Sequence, residues 1–421
     1  MPAVPSVPPT AIGNWAAFNA LSEQVRVFAG LAHTEDYIEN AVASQLFSFD
    51  ENGMYRDPNE PMVYDLVTRV QLSALLFFGY RGKHRQRLDG LLEKGGMLTL
   101  LMQSTTGEIP FGGRSNQFLH NETFYAALCE FYADFFKKRG NMKKAGQFKR
   151  AARIAVESIL PWLQAEPIRH IKNFYPTDSM YGCEGYAYYD KYMVTAGSWL
   201  YLAYALADDT IPEVAAPVES ENYICETAPH FHLTMLKFGD YFAQLDNAAG
   251  PKYDASGIGR VQKKGAPPAI CLSMPFSAHP KYEIDIENPS PLSICAVDNA
   301  VSYEITSKEL TDDYVKVEFS NGIIKQTCIV SEKGIEFKAE NDGIVEIAFP
   351  MFSFDGENET KRTVSGNRAE VEYKGWKCIY TYDGEITEGD VYANRNGHYI
   401  RMTVKGEDLV TLKIEIKEQE K

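Results

Sequence analysis

The densest run of chemically capable side chains lies between residues 112 and 125, where two glycines lead into Arg114, Ser115, Asn116, Gln117, Phe118, Leu119, His120, Asn121, Glu122, Thr123, Phe124 and Tyr125. If a helix covers this run, Asn116, His120 and Phe124 share one face, and Asn121 and Tyr125 share another. A helix N-terminus favours anions through its free N–H groups and its dipole, and Arg114 adds a forked donor suited to a carboxylate. The segment therefore reads as a place to hold a negatively charged group. Arg114, Asn116, His120, Asn121, Glu122 and Tyr125 are its candidate functional residues. The plainer reading is a helix cap made by Ser115, Asn116 or Asn121, with His120 as a satisfied structural residue.

A second cluster spans residues 178–192, where Tyr181, Tyr186, Tyr188, Tyr189 and Tyr192 accompany Asp178, Glu184 and Asp190. A tyrosine beside a cation can serve as acid or base, and the carboxylates here could do hydrolytic acid–base work. The plainer reading is a tyrosine-rich loop wedged between helices, with solvated acids. A third group joins His230 and His232 to the stretch 253–260, which ends in Arg260. Two histidines at i, i+2 could share a strand face, but no third ligand completes a metal site, so no metal is expected. Gly257-Ile258-Gly259 is a fragment of a phosphate-loop pattern without the rest, and no nucleotide or other cofactor is expected. His232 and Arg260 are kept as cleft residues, and Cys183 has no specific partner that would make it a nucleophile.

These residues must be positioned by elements of two kinds. Amphipathic periodicity predicts helices over 14–31, 64–79, 118–138, 143–163 and 192–207. Repeated helix–loop–helix units suggest an (α/α) toroid rather than a four-helix bundle. Beyond about residue 250 the pattern alternates with period two. Strands are expected over 314–319 and 323–330 around the turn Ser320-Asn321-Gly322, and over 334–339 and 344–349 around Asn341-Asp342-Gly343. Further strands are expected over 369–373, 377–382, 399–404 and 409–416. The expected fold is multidomain, a helical toroid over 1–250 followed by an antiparallel β-sheet or sandwich domain over 251–421. The stretch 228–265 is too rich in large rings for a tether and should be packed at the junction, where ligand clefts commonly form.

Composition narrows the function. The chain has 421 residues, and 42 basic against 57 acidic side chains leave a formal net charge of −15. With no long Lys/Arg run, such a chain would be repelled by a phosphate backbone, which argues against a nucleic-acid partner. No apolar stretch approaches the roughly 18–20 residues that span a bilayer, so no membrane partner is expected. Aromatic residues reach 12%, and tyrosine suits sugar clefts because its ring stacks on a sugar face while its hydroxyl bonds to it. The seven scattered cysteines make no disulfide framework. Residues 1–12 do not read as a signal peptide. A reducing cytoplasm is the simplest compartment, although a periplasmic or secreted chain whose leader had been cleaved would read the same. A homo-oligomer is left open.

Three segments carry a family resemblance: GGRSNQFLHNE at 112–122, YGCEGYAYYDKY at 181–192 and FGDYFAQLDNAAGPKYDASGIGRV at 238–261. Together they resemble the heparinase II/III-like group of uronate-acting enzymes. That resemblance implies a helical toroid followed by antiparallel sheets, and an acidic oligosaccharide or polysaccharide as substrate. It implies cleavage by β-elimination, including at rhamnosyl-glucuronate linkages, or hydrolysis in related glucuronidases. For a lyase it implies that Asn116, Asn121 and Arg114 neutralise the uronate carboxylate, since the adjacent C5 proton is otherwise barely acidic. It further implies His120 or Tyr181 as the base and Tyr188 as the donor to the leaving oxygen, with Asp178, Tyr125, Tyr189, His232 and Arg260 contacting the sugar. For a hydrolase it implies Glu122 and Glu184, or Asp178, as the carboxylate pair. A non-enzymatic sugar-binding protein would account for the tyrosines but not for the Arg/Asn/His/Glu cluster.

Overall fold

The computed structural model describes residues 7–185, 188–248, 253–271, 281–282, 293–297 and 302–420. Its first part is helical: α1 (Asn14–Phe28), α2 (Glu35–Gln45), α3 (Met62–Phe77), α4 (Arg85–Leu100), α5 (Leu119–Lys138), α6 (Met142–Leu163), α7 (Tyr189–Leu206) and the one-turn α8 (Pro217–Ser220). A surface helix buries one stripe, whereas a helix apolar around its whole circumference belongs in the middle. α5 is of the second kind: every residue from Leu119 to Ala133 is buried, and it packs against α3, α6 and α7. The sequence reading missed α2 and α4. In α4 the charged Arg85, Arg87, Asp89, Glu93 and Lys94 dilute the apolar stripe, and Gly95 and Gly96 lie in the helix interior. Those glycines have a packing reason, because a Cβ at Gly96 would run into the Tyr132 ring of α5 and one at Gly95 into the Gly53 backbone.

Strands begin earlier than expected. β1 (Tyr223–Glu226), β2 (Leu233–Phe238) and β3 (Tyr241–Asp246) precede residue 250, and β4 (Gly257–Lys263) completes a four-stranded antiparallel sheet in the order β1-β2-β3-β4. The change from helix to strand therefore falls just before Tyr223, not at 250, and the expected junction segment contains β2, β3 and β4. The reason is burial on both faces. β2 and β3 are buried at every position, so neither shows the alternation that marks a half-exposed strand. One face contributes Leu233, Met235 and Phe242 to a cluster with Met54, Met62 and Met102 of the helical part. The other contributes Leu236, Tyr241, Ala243 and Leu245 to the core shared with the large sheet.

Among the described residues that large sheet has ten strands. They are β5 (Cys295–Ala296), β6 (Glu304–Leu310), β7 (Tyr314–Ser320), β8 (Lys325–Ser331), β9 (Gly334–Phe354), β10 (Lys361–Ser365), β11 (Arg368–Tyr373), β12 (Trp376–Tyr382), β13 (Glu385–Asn394) and β14 (Gly397–Glu418). Its main order is β10-β11-β12-β14-β9-β8-β7-β6, with β13 on β14 and β5 on β9. The hairpin at Ser320-Asn321-Gly322 forms as expected. Asn341-Asp342-Gly343 does not turn. Glu340 pairs with Leu409 and Ile344 with Glu407, leaving three residues opposite Asp408. The Gly343 N–H donates to the Asp408 side chain at 3.0 Å. The turn-forming residues have become a bulge within two long strands, and the pairs expected as separate strands are single β9 and β14. The architecture is a helical part followed by antiparallel sheets, in three layers: helices, small sheet, large sheet.

The β13–β14 connection bears directly on the site. Asn394 pairs with Gly397, so Arg395 and Asn396 form a two-residue tip. Gly397 has φ +148°, and a Cβ there would run into the Phe354 carbonyl. A Gly397→Ala variant should lose about 1–3 kcal/mol in chemical denaturation. Unchanged stability would show that the tip tolerates a shift.

Candidate functional site

The hairpin tip plugs into the helical part. Asn173 Nδ2 donates to the Arg395 carbonyl at 2.8 Å, and Asn396 Nδ2 reaches the Lys172 carbonyl at 3.5 Å. The Arg395 guanidinium is fully buried and its donors are spent on three partners. Nε donates to Asn116 Oδ1 at 3.2 Å, Nη2 to Glu184 Oε1 at 3.0 Å, and Nη1 to the Gly182 carbonyl. It also lies over the Phe118 ring, 4.7 Å from its centroid. Glu184 in turn accepts from the Ser115 N–H at 2.8 Å and the Ser115 hydroxyl at 3.0 Å. One cation thus joins the 112–118 loop to the tyrosine-rich loop, the two segments singled out in the sequence.

His398 stands beside this centre, just past the turn glycine. Its Nε2 is 2.8 Å from the Tyr175 hydroxyl. Tyr175 stacks on Tyr181 with centroids 3.6 Å apart, and His398 tilts against both rings. Burial lowers the His398 pKa below the ordinary imidazole value, so it is neutral at pH 7 and able to accept a proton. Tyr181 is itself buried, and burial raises its pKa well above the ordinary phenol value.

The helix predicted over 118–138 forms as α5 from Leu119 and does not extend back to Asn116. Ser115 (φ 61°) and Gln117 (φ 59°) hold the preceding loop irregular, so Asn116 and His120 do not share a helical face. Asn116 Nδ2 donates to the Gly113 carbonyl. His120 is buried between aromatic rings, stacked on Tyr192 at 4.4 Å and on Phe118 at 5.5 Å. Burial, then the charge of Arg395, push its pKa down to about 3. Arg114 is the partly exposed cation of the loop, donating to Asp57 at 2.8 Å and lying 4.3 Å from the Tyr64 centroid.

Other expected site residues go elsewhere. Tyr125 is inside the helical core with its hydroxyl 3.3 Å from the Thr99 carbonyl, because the i, i+4 face it shares with Asn121 points inward. Asn121 is buried there too. Asp178 and Tyr188 are exposed, and Tyr189 is half-buried with its ring edge against His170 at 5.2 Å. Glu122 and Arg260 belong to a different buried network. Lys172 Nζ is 2.7 Å from Glu108 and 2.8 Å from Glu122, Gln262 donates to Glu108 at 2.6 Å, and Arg260 donates to the Ile109 carbonyl at 2.5 Å. Burial alone would raise Glu108, but Lys172 and Arg260 overcome it and hold its pKa at about 2. This network ties α5 and β4 to the loops at 108 and 172. His232 faces Asp246 at 3.4 Å, and hydrogen bonding to that carboxylate raises its pKa. Cys183 Sγ lies 3.1 Å from His170 Nε2, yet burial lifts the thiol to about 11 and lowers His170 to about 4. That pair does not form a thiolate at neutral pH.

Arg395, His398, Tyr175, Lys172 and Glu108 were not singled out from the sequence. The run Asn394-Arg395-Asn396-Gly397, turn formers between two strands, was the available signal for the first two. Among the described residues no cluster of three His, Cys, Asp or Glu could hold a metal, no helix is long and apolar enough to cross a membrane, and every cysteine with a described side chain is a free thiol.

Neutral burial of His120 has a measurable consequence. Its folded pKa of about 3 lies below the unfolded value near 6.5. Its contribution to stability is therefore complete above pH 6.5 and is lost as pH falls toward 3. Between pH 7 and pH 4 the wild type should lose on the order of 3 kcal/mol more than a His120→Phe variant, at about 1.4 kcal/mol per pH unit. Denaturation curves at both pH values check this, and parallel losses would show that His120 is accessible to protons in the folded state.

No family model matches the chain, and no curated protein does. Among solved structures it is similar to heparan sulfate lyase HepC from Pedobacter heparinus, with a TM-score of 0.36 and 9% identity over 96% of this chain and 69% of that one. It is also similar to 4-alpha-glucanotransferase from Thermococcus litoralis, with a TM-score of 0.33 and 10% identity over 71% of this chain and 49% of that one. Likeness at this level carries no argument about activity.

Proposed function

We infer that the protein is a carbohydrate-active enzyme that cleaves glucuronate-containing oligosaccharides by β-elimination. The observation that carries this reading is the Tyr175–His398 pair, a phenol 2.8 Å from an imidazole that burial keeps neutral, next to the hairpin tip that Arg395 anchors to Asn116 and Glu184. In the proposed step His398 takes the C5 proton of the uronate. The C5–H electron pair forms the C4–C5 double bond, the C4–O4 bond breaks, and the Tyr175 hydroxyl delivers a proton to O4. Arg114 and Asn116 meet the carboxylate, whose charge must be offset before C5 becomes acidic. These assignments move the base from His120 or Tyr181, and the acid from Tyr188, to the pair with hydrogen-bonding geometry.

Hydrolysis by a carboxylate pair has less support, because Glu122 is bonded to Lys172 and Glu184 to Arg395. Neither is placed as a protonated acid poised over a glycosidic oxygen. The test is an ultraviolet assay across a panel of glucuronate-containing oligosaccharides. β-Elimination creates an absorbing unsaturated uronate, hydrolysis releases reducing ends without that absorbance, and a binding protein does neither. Reducing ends without ultraviolet product would overturn the lyase reading.

A further inference from the structure

A cavity of about 480 Å³ opens against Gly112 and Gly113, walled by Glu60, Met62, Phe231, His232, Asp246 and Asp254. Asp254 is more than nine-tenths buried. One of its carboxyl oxygens accepts from the Gly113 N–H, while the other, Oδ1, has no partner among the described residues. An unpaired buried carboxyl oxygen is costly unless something supplies a donor. Four non-glycine residues around the cavity hold left-handed backbone: Asn59 (φ 68°), Glu60 (φ 48°), Phe231 (φ 64°) and His232 (φ 39°). Such conformations persist where the surroundings impose them, as at ligand clamps.

We propose that this cavity is a second sugar subsite, taking an uncharged sugar ring adjacent to the uronate, with Asp254 and Asp246 bonding neighbouring hydroxyl groups. The proposal deepens the uronate reading above and rests on it for the nature of the substrate. The chemistry of the walls selects the occupant. Met62, Phe231 and Leu233 offer apolar surface to the C–H face of a ring. Glu60 and Asp246 disfavour a second carboxylate. A cation is not favoured either: burial, reinforced by Asp246, raises Asp254 to about 8, so at pH 7 it is mostly a neutral carboxyl that both donates and accepts. Glu60 is already matched by His230 Nδ1 at 3.0 Å, and Asp246 by His232. The cavity is joined to the loop that carries Arg114 and Asn116. Gly113 contacts Asp254, Ser115 two residues later contacts Glu184, and Arg395 is close enough for its charge to act on Asp254.

The experiment is saturation-transfer NMR on the full chain with four monosaccharide probes: rhamnose, glucose, glucuronate and glucosamine. The wild type is compared with Asp254→Asn and with Ala248→Phe, which narrows the cavity without removing a side-chain hydrogen bond and serves if Asp254→Asn does not fold. The expected result is binding of a neutral sugar by the wild type, weakened at least five-fold in each folded variant, with glucuronate binding unchanged. Neutral-sugar affinity that is absent in the wild type, or that stays at the wild-type value in the folded variants, overturns the subsite, as does glucosamine binding tightest. Failure of glucuronate to bind the wild type counts against the uronate reading alone, because the neutral-sugar arm is still scored.

Discussion

A His398→Ala enzyme should turn over roughly 10²–10⁴-fold more slowly than the wild type, with a folded core and a KM changed far less than kcat. The expectation rests on the 2.8 Å contact between Nε2 and the Tyr175 hydroxyl, and on the partial exposure of His398, which lets a substrate approach the ring. Tyr175→Phe should show a loss of the same order, and the double variant should lose little more, because two groups that act as a unit are not additive. The rate should rise with pH through a point below the ordinary imidazole value, because burial lowers His398 and its neutral form does the work. Steady-state kinetics by ultraviolet product formation, with thermal melts as a folding control, would check all of this. A folded His398→Ala enzyme with full turnover would end the assignment and return attention to Tyr181 and His120.

The second large effect is on stability. Arg395→Met should destabilise the protein by about 3–5 kcal/mol, the range for breaking a buried ion pair from one side. The substitution removes a cation from Glu184, a donor from Asn116 and a donor from the Gly182 carbonyl, all in a region without access to water. Adding Glu184→Gln should recover part of that loss, because the buried negative charge goes with it. The coupling between the two positions in a double-mutant cycle should then exceed about 1 kcal/mol. Chemical denaturation of the four proteins measures it. Additive losses would mean that Arg395 stabilises the tip through packing on Phe118 rather than through charge. Because the tip also carries His398, turnover in Arg395→Met should fall even where the protein is folded.

Local pattern made much of the molecule readable in advance. α1, α3, α5, α6 and α7 are long helices with repeating apolar positions, and the β7–β8 hairpin forms at its Asn-Gly turn, because each of these signals is set by residues a few positions apart. The 112–122 and 178–192 segments stood out by composition, and the structure does bring them together through Glu184 and Ser115. The failures have a common cause in burial from a distance. β2 and β3 are covered on both faces, so their alternation is erased, and Asn341-Asp342-Gly343 becomes a bulge because the partner strand β14 continues past it. Tyr125 and Asn121 are polar by type, yet they sit on a helix that is enclosed all round.

What the sequence alone determined is therefore that helices come first and antiparallel strands second, and the identity of two loops rich in chemical groups. Which groups meet was decided only by the tertiary fold. Arg395 is separated from Asn116 by 279 positions and from Glu184 by 211, and His398 from Tyr175 by 223. No local periodicity encodes a pairing across such distances. It arises because the small sheet, buried on both faces, fixes the large sheet against the helices and so delivers one two-residue turn to the loop before α5.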